Sequence, residues 1–279
     1  MDLTREQTHT LFTIQNKIEW FNESSAEAFH TLYIEDCENN SERDLIIDLI
    51  NRITYLDNKR YHKILEGFVK DIIDKYNNDE TIIYSTSMDE TPDSSQGLLY
   101  DMKVKFAECG WDTMNGQNRM SKVLKSSRTK KNILIVDEFI GSGQTMINRV
   151  DTVKSELAKE NIQDYNIHIY AVAGSQEGLY RLMENSIDFT CEIELSKGIS
   201  DIYKNEEITL KINEMKRLES LLSEENGKCE LSRMHLGYSR TEALFKRENG
   251  NTPNNVFPIF WWKYYANNSK RKTLMTRMC

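Results

Sequence analysis

Residues 132–146 read Asn-Ile-Leu-Ile-Val-Asp-Glu-Phe-Ile-Gly-Ser-Gly-Gln-Thr-Met, and no other stretch of the 279-residue chain limits its fold as much. Ile133, Leu134, Ile135 and Val136 make an unbroken aliphatic run, which suits a strand buried on both faces, as in a parallel sheet. Asp137 and Glu138 follow and are expected at the strand's carboxyl end. The turn Gly141-Ser142-Gly143-Gln144-Thr145 comes next, and a helical pattern runs from Thr145 to about Lys159. Such a turn offers backbone N–H groups and two hydroxyls at a helix N-terminus, where the dipole favours an anion. Carboxylates beside it can accept hydrogen bonds from vicinal hydroxyls. A sugar phosphate would answer to both. An ordinary strand–turn–helix corner is the alternative. A Walker-type loop fits less well, because Gln144 stands where that pattern needs Lys.

The surrounding pattern alternates strands and helices. Thr81–Ser85 reads as a short strand, and a polar, acidic loop spans Met88–Ser95 before a helix from about Gly97 to Ala107. Residues 111–131 lack clean periodicity and carry Arg119, Lys122, Lys125, Arg128, Lys130 and Lys131. His168–Ala173 and Phe189–Leu195 read as further strands, separated by a helix over Ser175–Glu184. Strands alternating with helices imply a parallel α/β sheet flanked by helices, with ligands at the strands' carboxyl ends.

Both ends of the chain differ from this core. Leu11, Ile14, Ile18 and Phe21 follow helical spacing, as do Leu45, Leu49, Ile53 and Leu56, with Ser41 as the expected N-cap of the second run. Ile64, Phe68, Ile72 and Ile73 supply a third helix. Residues 204–225 predict an amphipathic helix, and 226–265 run irregularly into Val256-Phe257-Pro258-Ile259-Phe260-Trp261-Trp262. The chain thus divides into an N-terminal helical region (1–78), an α/β core (79–203) and a C-terminal helix with an irregular cap (204–279). The aromatic run is expected to pack on the folded body near the end of the motif strand.

Composition narrows the function classes. A net charge of −8 and a pI near 5.3 deny the protein a broad basic footprint for nucleic acid. No stretch approaches the ~18 consecutive apolar residues of a membrane helix, and the charged start lacks a signal-peptide core. The five cysteines are scattered, without a C-x-x-C pair, so neither a zinc site nor a disulfide framework is expected. The expected compartment is the cytoplasm. His9, His30, His62, His168 and His235 have no ligand spacing.

The strand, acid pair and loop resemble the signature of type I phosphoribosyltransferases, in which two adjacent acids precede a loop ending Ser/Thr-Gly-x-Thr. Asp137, Glu138, Ser142, Gly143 and Thr145 match without a gap. The resemblance implies that Asp137 and Glu138 act at the ribose hydroxyls of phosphoribosyl pyrophosphate. It also implies that Gly141, Ser142, Gly143, Gln144 and Thr145 cradle the 5'-phosphate and that Mg2+ bridges pyrophosphate and ribose oxygens. Phe139 and Gly141, with Asn251-Thr252-Pro253-Asn254-Asn255, Pro258 and Trp261, further resemble the phosphoribosyltransferase-like proteins of bacterial conflict systems. Some of these are encoded with retrons, so the resemblance implies a toxin or antiphage role. The implied partners are a retron reverse transcriptase with its nucleic acid, or another defence protein. It spans residues ~80–265.

Two departures from the housekeeping enzymes stand out. Gly141 occupies the neighbourhood of the Asp that serves purine salvage enzymes as a base. Asp89, Glu90 and Asp93 replace the usual pyrophosphate turn, leaving Ser94, Ser95, Lys122 and Arg128 as candidate pyrophosphate contacts. The acceptor is open between a base, a nucleotide, a nucleic acid and water. A non-catalytic nucleotide sensor or partner-binding protein is the alternative function.

Overall fold

In the computed structural model, which describes residues 3–85 and 94–278, the chain opens with helices α1 (Arg5–Lys17), α2 (Glu23–His30) and α3 (Asn40–Asn51) and a short strand β1 (Thr54–Leu56). Next come α4 (Asn58–Lys75), β2 (Thr81–Tyr84), α5 (Ser94–Glu108), β3 (Gly116–Gln117) and α6 (Met120–Ser126). They are followed by β4 (Asn132–Ile140), α7 (Gln144–Lys159), β5 (Asn166–Ser175), α8 (Gln176–Glu184) and β6 (Asp188–Leu195). The remainder holds α9 (Glu206–Glu219), the strands β7 (Glu225–Asn226) and β8 (Cys229–Glu230), α10 (Leu231–Met234) and β9 (Phe245–Arg247). Two compact units result: Asp57–Leu195, and Met1–Leu56 together with Ser196–Cys279.

In the unit 57–195, five strands form one sheet in the order β3-β2-β4-β5-β6, every neighbouring pair parallel. The aliphatic run of β4 lies at its centre. Parallel crossovers are right-handed, so the change of direction after β3 puts α5 on one face and α6, α7 and α8 on the other. Packing agrees: α4 and α5 meet each other and cover β5 and β4, while α7 touches α6 and α8. Ile133 and Ile135 join a core with Met146, Ile147, Val150 and Val153 of α7 and Leu182 of α8. Leu134 and Val136, equally buried, alternate to the face of α4 and α5. Burial of each of these four side chains contributes roughly 1.5–3 kcal/mol.

The strand order reverses between β2 and β4, and such a switch point leaves a crevice at the strands' carboxyl ends. β2 stops at Tyr84, opposite Ile135, whereas β4 runs on beside β5 to Ile140. Asp137 and Glu138 therefore lie in the carboxyl-terminal part of β4 that runs past the end of β2.

In the other unit, β1 pairs in parallel with β9, from Thr54↔Phe245 to Leu56↔Arg247. Leu56 thus ends in a strand instead of continuing the helical run, because α3 stops at Asn51. Asn39, not Ser41, caps α3: its side chain accepts the Glu42 N–H at 3.0 Å. Helix α9 ends at Glu219, short of the predicted 225. The aromatic run is core of this unit, with Phe257, Ile259, Phe260, Trp261 and Trp262 at most 1% exposed. Both indole N–H groups are satisfied, Trp261 by the Val256 carbonyl at 2.9 Å and Trp262 by Ser223 Oγ at 3.0 Å. Cys229 is disulfide-bonded, against the expectation from cysteine spacing. Among the described residues no helix is long and apolar enough to cross a membrane.

Candidate active site

The loop after β4 owes its shape to three glycines. Gly143 is the N-cap of α7 with φ +78°, a left-handed conformation that costs glycine little. A Cβ on Gly143 would stand 2.7 Å from the Gly178 carbonyl oxygen, and one on Gly178 would stand 2.0 Å from the Gly141 carbonyl oxygen. The loop is therefore pressed against the start of α8. Among the described residues no side chain caps α7, so its first N–H groups are open to another partner. Ser142 is buried, while Gln144 and Thr145 are exposed at the helix start. Gln144 Nε2 donates to Asn148 Oδ1 at 2.8 Å.

The two acids face different surroundings. Asp137 sits on the α7 side of the sheet, where Arg149 Nη1 of α7 donates to its Oδ2 at 2.5 Å. Its Oδ1 accepts the Glu138 N–H at 2.8 Å. Both partners of this ion pair are largely buried, with 9% (Arg149) and 15% (Asp137) of the side chains exposed. Glu138, 3% exposed, alternates toward the face that carries α5. Burial pushes the Tyr84 phenol up, against the pull of the nearby Arg149 guanidinium.

Sequence reasoning missed Arg149. The signal was present: Arg149 falls on the buried face of α7, among Met146, Val150 and Val153, where a cation needs a partner. It also missed Ser85, whose fully buried hydroxyl has no hydrogen-bond partner among the described residues at the end of β2.

The candidate pyrophosphate contacts separate. Helix α5 is the crossover from β2 to β3, so it begins at the carboxyl end of the sheet. Ser94 opens it, and Ser95, 1% exposed, lies in its first turn. Helix α6 likewise starts at that end, with exposed Lys122 in its first turn. Arg128 does not join them. It follows α6 and pairs with Glu160 Oε2 at 2.9 Å, just past the end of α7 and at the amino end of the sheet. Lys130, bonded to the Asn78 and Asp79 carbonyls, and Lys131, paired with Glu80, lie at that same end. A nine-residue strand such as β4 spans roughly 26 Å. Asp89, Glu90 and Asp93 lie outside the described residues.

The chain is similar to known proteins at two levels. The chain is similar to the solved Helicobacter pylori xanthine-guanine-hypoxanthine phosphoribosyltransferase, at 11% identity and a TM-score of 0.31, over 50% of this chain and 85% of that one. A Schistosoma mansoni hypoxanthine-guanine phosphoribosyltransferase in complex with IMP gives 16% and 0.35, over 50% and 64% of the two chains. Orotate phosphoribosyltransferase from Aeropyrum pernix gives 8% and 0.32, over 50% and 73%. Likenesses this slight carry no weight for function. No curated protein matches the chain. The PRTase-CE family model, however, matches residues 33–277, nearly the whole sequence. With its parallel sheet and the loop at the switch point, the fold is type I phosphoribosyltransferase-like, and the chain belongs to the PRTase-CE family.

Proposed function

We propose that the chain binds phosphoribosyl pyrophosphate at the carboxyl end of β4 and transfers or hydrolytically releases its phosphoribosyl group. One observation carries this reading: an acid pair, a glycine-shaped loop and an uncapped helix N-terminus meet at the switch point of the sheet. Loss of pyrophosphate from the anomeric carbon passes through an oxocarbenium-like state, so positioning and charge stabilisation supply most of the catalysis. Glu138 and Asp137 would fix the ribose hydroxyls and place negative charge near the developing cation. Gly141–Thr145 would hold the 5'-phosphate as a remote handle. Ser94, Ser95 and Lys122 start their helices at the end of the sheet where pyrophosphate would lie.

The residues suit a magnesium ion carried mainly by its ligand. Among the described residues no cluster of three or more His, Cys, Asp or Glu forms a cage, and magnesium commonly takes one or two carboxylates plus substrate oxygens. Glu138 and Asp137 are the carboxylates on offer. When bound, the ion would neutralise charge on the departing pyrophosphate.

The resemblance of Asp137–Gly143 and of Asn251–Asn255 to conflict-system proteins supports a toxin or effector in bacterial antiphage defence. A retron reverse transcriptase with its nucleic acid, or another protein of the system, is the proposed partner, and the cytoplasm the proposed compartment. A second reading, a non-catalytic nucleotide sensor or partner-binding protein, is favoured by the Arg149–Asp137 pair, which neutralises one of the two acids.

Incubation with phosphoribosyl pyrophosphate and Mg2+, following pyrophosphate release, tests the enzyme reading. Glu138→Gln is expected to reduce release by on the order of a hundredfold. Binding without release would favour the sensor, and neither binding nor release would sink both. The loop is tested separately. Gly178→Ala, whose new methyl would displace Gly141, is expected to weaken ribose 5-phosphate binding by on the order of a hundredfold in calorimetry. Gly143→Val would meet Gly178 from the other side and add strain at φ +78° to that clash, so its effect on binding is expected to be at least as large.

A further inference from the structure

One side of the loop after β4 is held from the junction of β5 and α8. Ser175 Oγ donates to the Gly141 carbonyl at 2.6 Å and accepts the Gly178 N–H at 3.0 Å. Arg181 Nη1 donates to the Ser142 carbonyl at 3.0 Å, and its Nη2 donates to Gln144 Oε1 at 2.7 Å. Ser175, Gly178 and Arg181 are spaced by three and share one face at the start of α8. Gly178 sits too close to Gly141 to carry a side chain, so the arginine reaches past it.

Peptide geometry gives these contacts a consequence. In a trans peptide the C=O and the following N–H point in opposite directions. Among the described residues no peptide bond is cis. Drawing the Gly141 and Ser142 carbonyls toward α8 therefore turns the N–H groups of Ser142 and Gly143 away from it. They then join the uncapped N–H groups of Gln144 and Thr145 in facing an incoming anion. The loop itself contains no Lys or Arg. Among the described residues, Arg181 is the cation hydrogen-bonded to it.

We propose that Arg181 is the positioning residue of the phosphate loop and the source of its fixed positive charge. It orients the peptide planes that receive a dianionic phosphate and raises the local potential. The identity of the ligand rests on the reading given under Proposed function; the orientation of the loop does not. A guanidinium fork serves two acceptors in a fixed plane, which an ammonium group cannot do.

Arg181→Met and Arg181→Lys, compared with the unaltered protein, test this in two ways. Amide exchange without ligand should speed up over 142–145 in both variants while the melting temperature stays unchanged. Calorimetry with ribose 5-phosphate and with inorganic phosphate should show affinity falling about tenfold to a hundredfold in Arg181→Met. The slope of log affinity against log salt should flatten in Arg181→Met and recover in Arg181→Lys, whose affinity stays low. A merely structural role would leave that slope alone. Unaltered exchange, full affinity in Arg181→Met or an unchanged salt slope would each overturn the proposal. If the unaltered protein binds neither phosphate, the proposed function falls, and the exchange result alone decides whether Arg181 orders the loop.

Discussion

Arg149→Met is expected to destabilise the sheet unit by about 3–5 kcal/mol, because it removes the cation that pairs with the largely buried Asp137 carboxylate. The pair spans β4 and α7 at 2.5 Å, so its loss also loosens the helix whose first turn ends the loop. Asp137→Asn should cost less, about 1–3 kcal/mol, since an amide oxygen still accepts from Arg149. Two adjacent acids considered alone lead to the opposite expectation. Their repulsion would make a neutral variant at least as stable. The arginine reverses the sign by supplying the compensating charge within the fold. Urea denaturation of both single variants and of the double variant Asp137→Asn/Arg149→Met measures the coupling. A higher stability for Asp137→Asn would mean that repulsion from Glu138 outweighs the ion pair.

Deleting residues 250–279 is expected to abolish cooperative folding of the unit formed by 1–56 and 196–279. Five fully buried side chains (Phe257, Ile259, Phe260, Trp261 and Trp262) would go, at roughly 1.5–3 kcal/mol each, against a typical domain stability of about 5–15 kcal/mol. Arg271 would go as well. It donates to the Ile259 and Trp262 carbonyls and to Asp36 Oδ2 at 3.2 Å, so its loss strips a buried carboxylate of its cation. The Asn254 carbonyl accepts the Tyr238 N–H at 2.8 Å, and the Asn255 carbonyl accepts that of Ala243 at 3.0 Å. Asn255 also packs on Gly237, where a Cβ would stand 1.9 Å from its carbonyl oxygen. Soluble yield and limited proteolysis read the outcome, with Trp261→Ala as a milder variant costing about 3–5 kcal/mol. A truncated chain that folds normally but loses a co-purifying protein would make the aromatic run an interface instead.

The sequence by itself determined what depends on near neighbours. An aliphatic run, an acid pair and a small-residue turn specified β4, its loop and the start of α7, because strand burial, turn chemistry and helix initiation are local demands. The alternation of strands and helices likewise predicted a parallel sheet flanked by helices. Where local signals conflicted, reading failed. Residues 111–131 hid β3 and α6, and Leu56 kept helical spacing while lying in a strand. The tertiary structure alone decided which distant groups meet. It joined residues 1–56 to 196–279 through β1 and β9 and set Arg149 against Asp137. It also brought Arg181 to a loop nearly forty residues earlier. A sequence states that a buried charge or an open carbonyl needs a partner, but many residues in the chain could supply one. Only the packing of the whole chain selects which of them arrives within hydrogen-bond distance.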